Sequence, residues 1–380
     1  MKERRFTLHA RLNLFMKGGR RLLSGLFAIV SLIALSGCNV HEWPEETGET
    51  YDFTLTLDFN TDLPLHKEVY YTRDGEARAI DNDFDIRYIV NIYDVADEND
   101  GNRYVVNQYT FTRSFSENPD YTIRLQLAEG RYRFRVWADY VEAGSKKDKF
   151  YDTSDFTEIK LDESVAHYGN TERRDAFRGS AYAEVVDPLL YSYTHGGAVA
   201  ENSVVVNMHR PMGRYEFIST DMDEFLDKEV RSRAEALMEG LLTKGPENIT
   251  RDDVAETIGL DKYKVVFSYN AFMPSSYNHY TDKPSDSSTG IRYEASMSLG
   301  EDGIRLGFDY ILVDQETTMN LNLAVYNPEG QLIANTSGVE VPIARSKNTI
   351  VKGSFLTVSS GGGVTINPDF EGDDFNIELH

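Results

Sequence analysis

The sequence predicts an all-β protein with two minor helices, arranged as two β-sandwich domains in tandem. Three observations predict it. Apolar residues recur at every second position along much of the chain, the period of a strand with one buried face. Aromatic residues make up 12% of the composition, with 23 Tyr and 20 Phe, and such side chains favour pleated, half-buried surfaces. About seven such segments lie on each side of residue 212, and at 380 residues two domains are the natural prior.

The elements follow in order. Tyr51, Phe53, Leu55, Leu57 and Phe59 alternate with polar neighbours and predict the first strand. Further strands are expected at 86–94 and 103–113. Tyr121, Ile123, Leu125 and Leu127 alternate before an "AEG" turn, and Tyr132, Phe134, Val136, Ala138 and Tyr140 alternate after it. That pattern predicts a hairpin with one buried face and with Arg131, Arg133 and Arg135 on a wet one. Strands around 181–186 and 203–209 complete the first set. Pro211 and Gly213 then break the chain, so the expected domains are 51–211 and 212–380.

The second set is expected at 214–219, 262–270, 291–299, 304–313, 318–326, 331–343 and 349–358. Ile304, Leu306, Phe308, Tyr310 and Leu312 alternate, as do Met319, Leu321, Leu323 and Val325. "LGEDG" at 299–303 and "NPEG" at 327–330 supply turn residues. One helix is expected near 221–241, with Phe225, Leu226, Val230, Ala234, Leu237, Met238 and Leu241 on one face and Thr220 or Asp221 as its cap. A short helix near 251–258 would start at Thr250 and stop at Gly259.

The N-terminus carries a different signal. A basic stretch at 16–21 precedes the apolar run "LLSGLFAIVSLIAL" at 22–35, which is shorter than the roughly 20 residues a membrane span needs. Residues 1–37 therefore have the anatomy of a secretory signal peptide, whether translation begins at Met1 or Met16. Leu35, Ser36, Gly37 and Cys38 resemble the lipobox of bacterial lipoproteins, in which the cysteine is acylated and becomes the first mature residue. Cys38 is the chain's single cysteine, so no internal disulfide can form. Palmitate-type acyl chains, each holding through buried methylenes, would tie it to a bilayer. Residues 38–50 read as a lipidated tether, extended by Pro44 and Gly48. Its Glu42, Glu45 and Glu46 are similar to an acidic surface-export signal, and a plain solvated tether reads equally well.

Removing residues 1–37 takes seven basic side chains and one acid from 39 and 62, leaving 32 and 61 and a net charge of −29. Such a surface repels phosphate backbones, which excludes nucleic acid as an expected partner, and it also repels an anionic membrane face. The acyl chains are then the expected membrane contact. The eight histidines form no HExxH or HxH pair, so no metal and no cofactor is expected. "DVADENDG" at 94–101 fails the calcium-loop spacing. No nucleophile elbow or phosphate loop occurs, and the chain reads as a non-enzyme. The aromatic-rich loops "PLLYSYTHGG" (188–197) and "FMPSSYNHYTDKP" (272–284) are the best ligand candidates. There Tyr191, Tyr193, Tyr277 and Tyr280, if exposed, could stack on sugar rings.

Several stretches together carry a resemblance: "LAEGRYRFRVWADYV" (127–141), "KFYDTSDFTEIKL" (149–161), "ERRDAFRGSA" (172–181), "VVVNMHRPMGRYEFI" (204–218) and "VEVPIARSKNTIVKGSFLTV" (339–358). They resemble an outer-surface lipoprotein family of Gram-negative gut and oral anaerobes, similar to fimbrillins and to anchor subunits of type V pili. The resemblance implies two transthyretin-like, Greek-key sandwiches. It also implies assembly with other fimbrial subunits by β-strand complementation, where main-chain hydrogen bonds give affinity. Shaft subunits of such pili lose their first strand to a protease that cuts after arginine. Arg73 and Arg78 stand where such a cut would fall, or are simply solvated. Anchor-type members keep the strand and the lipid. Beyond the "GGG" at 361–363, residues 364–370 are expected to pack on their own domain, and Phe375, Ile377 and Leu379 form a candidate donor strand. The expected role is a fimbrial anchor or accessory subunit on the outer membrane, acting in adhesion. The alternative is a glycan-binding surface lipoprotein of a polysaccharide uptake system.

Overall fold

The computed structural model describes residues 49–59, 69–71, 77–79, 83–95, 105–114, 120–162, 167–232, 250–357 and 374–379. In the first half the strands are β1 (Thr50–Phe59), β2 (Val69–Tyr71), β3 (Ala77–Ala79), β4 (Phe84–Asp94), β5 (Val105–Ser114) and β6 (Tyr121–Ala128). There follow β7 (Gly130–Glu142), β8 (Tyr151–Asp152), β9 (Glu158–Leu161), β10 (Ala176–Val185) and β11 (Ser203–Met208). From residue 212 they are β12 (Met212–Ser219), β13 (Lys264–Tyr269), β14 (Met273–Asn278), β15 (Lys283–Ser288), β16 (Arg292–Ser296) and β17 (Ser298–Leu299). The last are β18 (Ile304–Leu312), β19 (Glu316–Tyr326), β20 (Leu332–Ala344), β21 (Asn348–Gly353) and β22 (Asp374–Leu379). Three α-helices are described: α1 (Pro188–Thr194), α2 (Met222–Ser232) and α3 (Arg251–Ile258). The protein is mostly β, in several open sheets.

The first sandwich packs the sheet β11-β1-β6 on the sheet β10-β7-β4-β5. Alternate side chains of β1 meet those of the facing sheet. Phe53 stacks on Phe134 at 5.2 Å, and Phe59 meets Phe177 edge-on at 4.9 Å. β10 and β11 close one edge, joined by a bridge between Arg178 and His209. That approach needs a glycine: a Cβ on Gly179 would lie 2.5 Å from Val206 and 2.6 Å from the Met208 sulfur.

The hairpin expected at 121–140 does not form. β6 pairs with β1 in one sheet, whereas β7 pairs with β4 and β10 in the other, so Glu129 and Gly130 cross between sheets. The second face of β7 is wet only at its start, where Arg131 is exposed and Arg133 half-buried. Arg135, Trp137 and Asp139 are buried beneath a third sheet, β15-β14-β9-β8, with Trp137 edge-on to Tyr151 at 5.4 Å. That third sheet takes β8 and β9 from before residue 212 and β14 and β15 from after it. Residues Tyr51–His380 accordingly form one compact unit.

The second sandwich packs β17-β18-β12-β21-β22 on β16-β13-β19-β20. Its core joins Phe217 to Phe267 at 5.5 Å. The even alternation expected along β18 is interrupted. The register with β12 shifts between Phe217 and Ile218, opposite Gly307 at φ +153°, where a Cβ would lie 2.6 Å from the Phe267 ring. Such a bulge reverses which side chains face inward. Asp309, rather than an apolar neighbour, therefore stands opposite Tyr215.

α2 buries Phe225 and Leu226; the continuation expected to 241 lies outside the described residues. Asp221 does not spend its carboxylate on capping α2, because Oδ2 accepts the backbone amides of Leu356 and Thr357 at 3.0 and 2.7 Å. α3 starts in a capping box of Thr250 with Asp253 and ends at Gly259 in the left-handed region, φ +67°. α1 falls where the sequence reading placed a loop. Asp187 accepts from the Leu189 and Leu190 amides, with Pro188 at the first position. An Asp-Pro start of this kind is a helix signal that the aromatic content of the stretch obscured.

Candidate functional site

β1 lies in the middle of its three-stranded sheet, between β11 and β6. It pairs in parallel with β11 from Thr54–Ser203 to Phe59–Met208. Phe53, Leu55, Leu57 and Phe59 are buried, and the Phe59 amide donates to Asp120 at 3.1 Å. β1 is thus a core strand whose removal would leave an open slot between two strands.

The sequence-predicted residues are distributed as follows. Leu35, Ser36, Gly37, Cys38, Glu42, Glu45, Glu46 and Arg73 lie outside the described residues. Arg78 lies in β3, its backbone opposite Tyr70 of β2. Phe375, Ile377 and Leu379, the candidate donor positions, lie in β22, which runs parallel to β21 of the same chain with Thr349–Phe375, Val351–Ile377 and Gly353–Leu379 in register. Residues 364–370 are outside the described residues.

The four tyrosines do not form one surface. Tyr193 is 88% exposed, and Tyr191 stacks on His195 at 4.1 Å. Tyr277 corrects the expectation of an exposed ring: it is fully buried, packed toward Trp137 at 6.3 Å, and its hydroxyl donates to Asp282. Burial pushes its phenol well up. Tyr280 is half-buried, with the Arg135 guanidinium 3.7 Å above its ring and Tyr93 against it at 6.0 Å. A sugar would have to displace Arg135 to stack there.

What the sequence reading missed is a buried ionic seam between the halves. The turn Glu172–Arg174, capped by Thr171, and the following Asp175 are all buried. Arg174 pairs with Asp309, whose other oxygen lies 2.7 Å from His167 and accepts from the Tyr269 hydroxyl at 2.6 Å. Glu172 accepts from Arg214 at 2.9 Å and from the Tyr310 hydroxyl at 2.6 Å. Asp175 is gripped by Arg210, Nε to Oδ1 at 2.7 Å and Nη2 to Oδ2 at 2.6 Å. Arg345 donates to the Arg210 carbonyl at 2.9 Å and to Asp282 at 2.7 Å. "ERRD", "HRPMGR" and "ARSKN" are therefore one structure, and three of the five stretches that carry the resemblance meet in this seam. Burial acts to raise Asp309, but Arg174 and His167 outweigh it and hold the carboxyl below its ordinary value. Burial likewise opposes ionisation of Asp282, and hydrogen bonds from His209, Tyr277 and Arg345 prevail. The seam engages its charges with one another, so its role is to hold elements together.

His279 makes this region sensitive to acid. It is fully buried, its Nε2 is 2.9 Å from the Val136 carbonyl, and burial together with Arg178 lowers its pKa to about 3. Unfolded histidine takes up a proton below about pH 6.5, while the folded protein resists until about pH 3. The stability that depends on neutral His279 is therefore complete above pH 6.5 and lost as pH falls toward 3. Urea titrations should show a loss near 1.4 kcal/mol per pH unit, about 3 kcal/mol by pH 4. His279→Gln should flatten that slope, and an unchanged slope would refute the assignment.

A groove of about 900 Å³ lies beside the seam, lined by His167, Lys262, Lys264, Arg292, Tyr326 and Glu329 among others. It gathers Lys262, Lys264 and Arg292 beside Glu294 and Glu329, and Lys264 pairs with Glu294 at 3.1 Å. Among the described residues no cluster of three or more His, Cys, Asp or Glu could hold a metal ion, and no helix is long and apolar enough to cross a membrane.

Among solved structures the chain is similar to a candidate cell adhesion protein from Bacteroides uniformis, at 14% identity over 84% of this chain and 95% of that one, with a TM-score of 0.40. It is similar to a fimbrial assembly protein from Parabacteroides distasonis, at 12% identity, 82% and 93% coverage and a TM-score of 0.34. A candidate polysaccharide-binding protein from Bacteroides thetaiotaomicron gives 12% identity, 75% and 80% coverage and 0.36. No curated protein sequence matches the chain. The profile of a family of unknown function, DUF6562, matches residues 49–379, and the chain belongs to that family.

Proposed function

We propose that the protein is a non-enzymatic lipoprotein of the outer cell surface, held by acyl chains on Cys38, and that it serves as a fimbrial anchor or accessory subunit. The observation that carries the reading is the place of β1. A tether beginning at Cys38 runs directly into a strand in the middle of a sheet, with four large apolar side chains buried. A pull on the lipid end acts along this strand, so its ladder of hydrogen bonds shares the load. That arrangement suits an uncut first strand. Cleavage after Arg73 or Arg78 would separate the lipid from the fold, as a shaft subunit requires and an anchor does not permit. Partners of like build would engage by β-strand complementation at sheet edges.

The experiment is cross-linking on intact cells followed by isolation of the acylated chain. Fimbrial subunits in the cross-linked product support the reading; their absence, with binding on a glycan array instead, defeats it. The groove in which Glu294 and Glu329 stand beside Lys262, Lys264 and Arg292 favours one second reading, a glycan-binding surface lipoprotein. On that reading these residues replace the loop tyrosines as the contacts.

A further inference from the structure

The surface around α1 has no role in the anchoring or in the ionic seam. Residues 188–200, "PLLYSYTHGGAVA", contain no Asp, Glu, Lys or Arg in a chain of which 27% is charged. None of the residues of α1 is buried. Leu189 is 83% exposed, Leu190 54%, Tyr193 88% and Val199 83%. Tyr182 of β10 and Val205 of β11 are also exposed, each four residues from the bridge that joins their strands. Exposed apolar side chains gathered in this way mark a surface that meets something.

The position of the segment says what it meets. β1 and β11 run parallel, Thr54 opposite Ser203, and the Thr54 amide donates to the Asn202 carbonyl at 2.9 Å. Asn202 also ties back to Val186, at 3.1 and 3.0 Å. The loop carrying α1 therefore leaves the sandwich at the end where β1 begins. Only twelve residues, Asn39 to Thr50, separate that end from Cys38. Fully extended they reach about 40 Å, and as a flexible coil they span about 20 Å.

We propose that Pro188–Val199 is a second membrane contact: with Cys38 anchored, Leu189, Leu190, Tyr193 and Val199 enter the interfacial layer of the same bilayer. Apolar side chains with a tyrosine on a short helix suit that layer, where aromatic rings with one polar end settle. A segment without carboxylates can approach a phosphate surface that repels the rest of this acidic chain. A contact too weak to hold a free protein becomes effective when a short tether raises its local concentration. The contact would fix the orientation of the sandwich on the surface, a thing a flexible tether alone cannot do. The inference rests on the anchoring proposed for Cys38.

The test uses residues 38–380 coupled through the Cys38 thiol to maleimide-bearing phosphatidylcholine vesicles. In a Trp43→Phe background, Tyr193→Trp is compared with Leu332→Trp, an exposed apolar position on β20. With acyl chains brominated near the headgroup, emission from position 193 should shift to the blue and be quenched, while that from position 332 stays unchanged. Leu189→Asp with Leu190→Asp should abolish the quenching. Unchanged emission at 193, equal quenching at both positions, or quenching that survives the double Asp variant overturns the proposal. So would a response at 193 to added glycans or to a second protein copy instead of the bilayer. Because the coupling is chemical, the result does not depend on acylation in the cell. Failure of palmitate labelling would defeat the anchoring reading and leave the vesicle result standing.

Discussion

A chain beginning at Ala79, as cleavage after Arg78 would leave it, should lose the cooperative unfolding of its first sandwich. β1 buries Phe53, Leu55, Leu57 and Phe59. At about 1.5–3 kcal/mol for each side chain, its removal costs about 6–12 kcal/mol, an upper estimate because unfolded chains already bury some surface. Whole domains are stable by about 5–15 kcal/mol. The truncated chain should therefore bind a hydrophobic dye and unfold at lower denaturant than the chain 49–380. β1 is flanked on both sides by strands of the same sheet, so the slot it leaves has two unpaired edges. A synthetic peptide of residues 49–59 should enter it and restore the transition, and a peptide carrying Leu55→Asp and Leu57→Asp should not. Unaltered unfolding of the truncated chain would mean that β1 is not part of the core.

Asp309→Ala should cost about 3–5 kcal/mol in urea unfolding, because it strands buried Arg174 without its counter-charge. Asp309 is 1% exposed and is held by Arg174, His167 and Tyr269 together. The double variant Arg174→Met with Asp309→Leu should recover much of the loss, since it removes both desolvated charges at once. A loss within about 0.5 kcal/mol for Asp309→Ala, the range of an ordinary surface change, would mean that the seam contributes nothing to cohesion. Arg174 comes from the first half of the chain and Asp309 from the second, so the same measurement reports on how firmly the halves are joined.

Much of the sheet was legible because period two is a strong signal wherever one face is buried. β1 and β19 read directly from Phe53–Phe59 and Met319–Val325. The errors have physical reasons. Two alternating strands around a short turn look the same in sequence whether they pair with each other or cross between sheets, so "AEG" misled. Arg135 read as solvated because charge normally is; only the third sheet, with the His279 carbonyl 2.8 Å from Arg135 Nη1, explains its burial. "ERRD" carries no periodicity at all, and its meaning depends on Arg210, Arg214 and Asp309, which lie up to 135 residues away. The reversal along β18 depends on a single glycine. A glycine in the middle of an alternating strand is the cue that could have exposed it. Tyr277 was misjudged because a tyrosine serves a core as readily as a loop.

On the proposed reading, lipid, tether and first strand remain one piece on the cell surface. Mass spectrometry of the mature protein isolated from outer membranes tests this most directly. The expected result is an acylated Cys38 at the N-terminus and peptides that read unbroken across Arg73 and Arg78. A mature chain starting at Asp74 or Ala79, or a Cys38 without acyl chains, would contradict it.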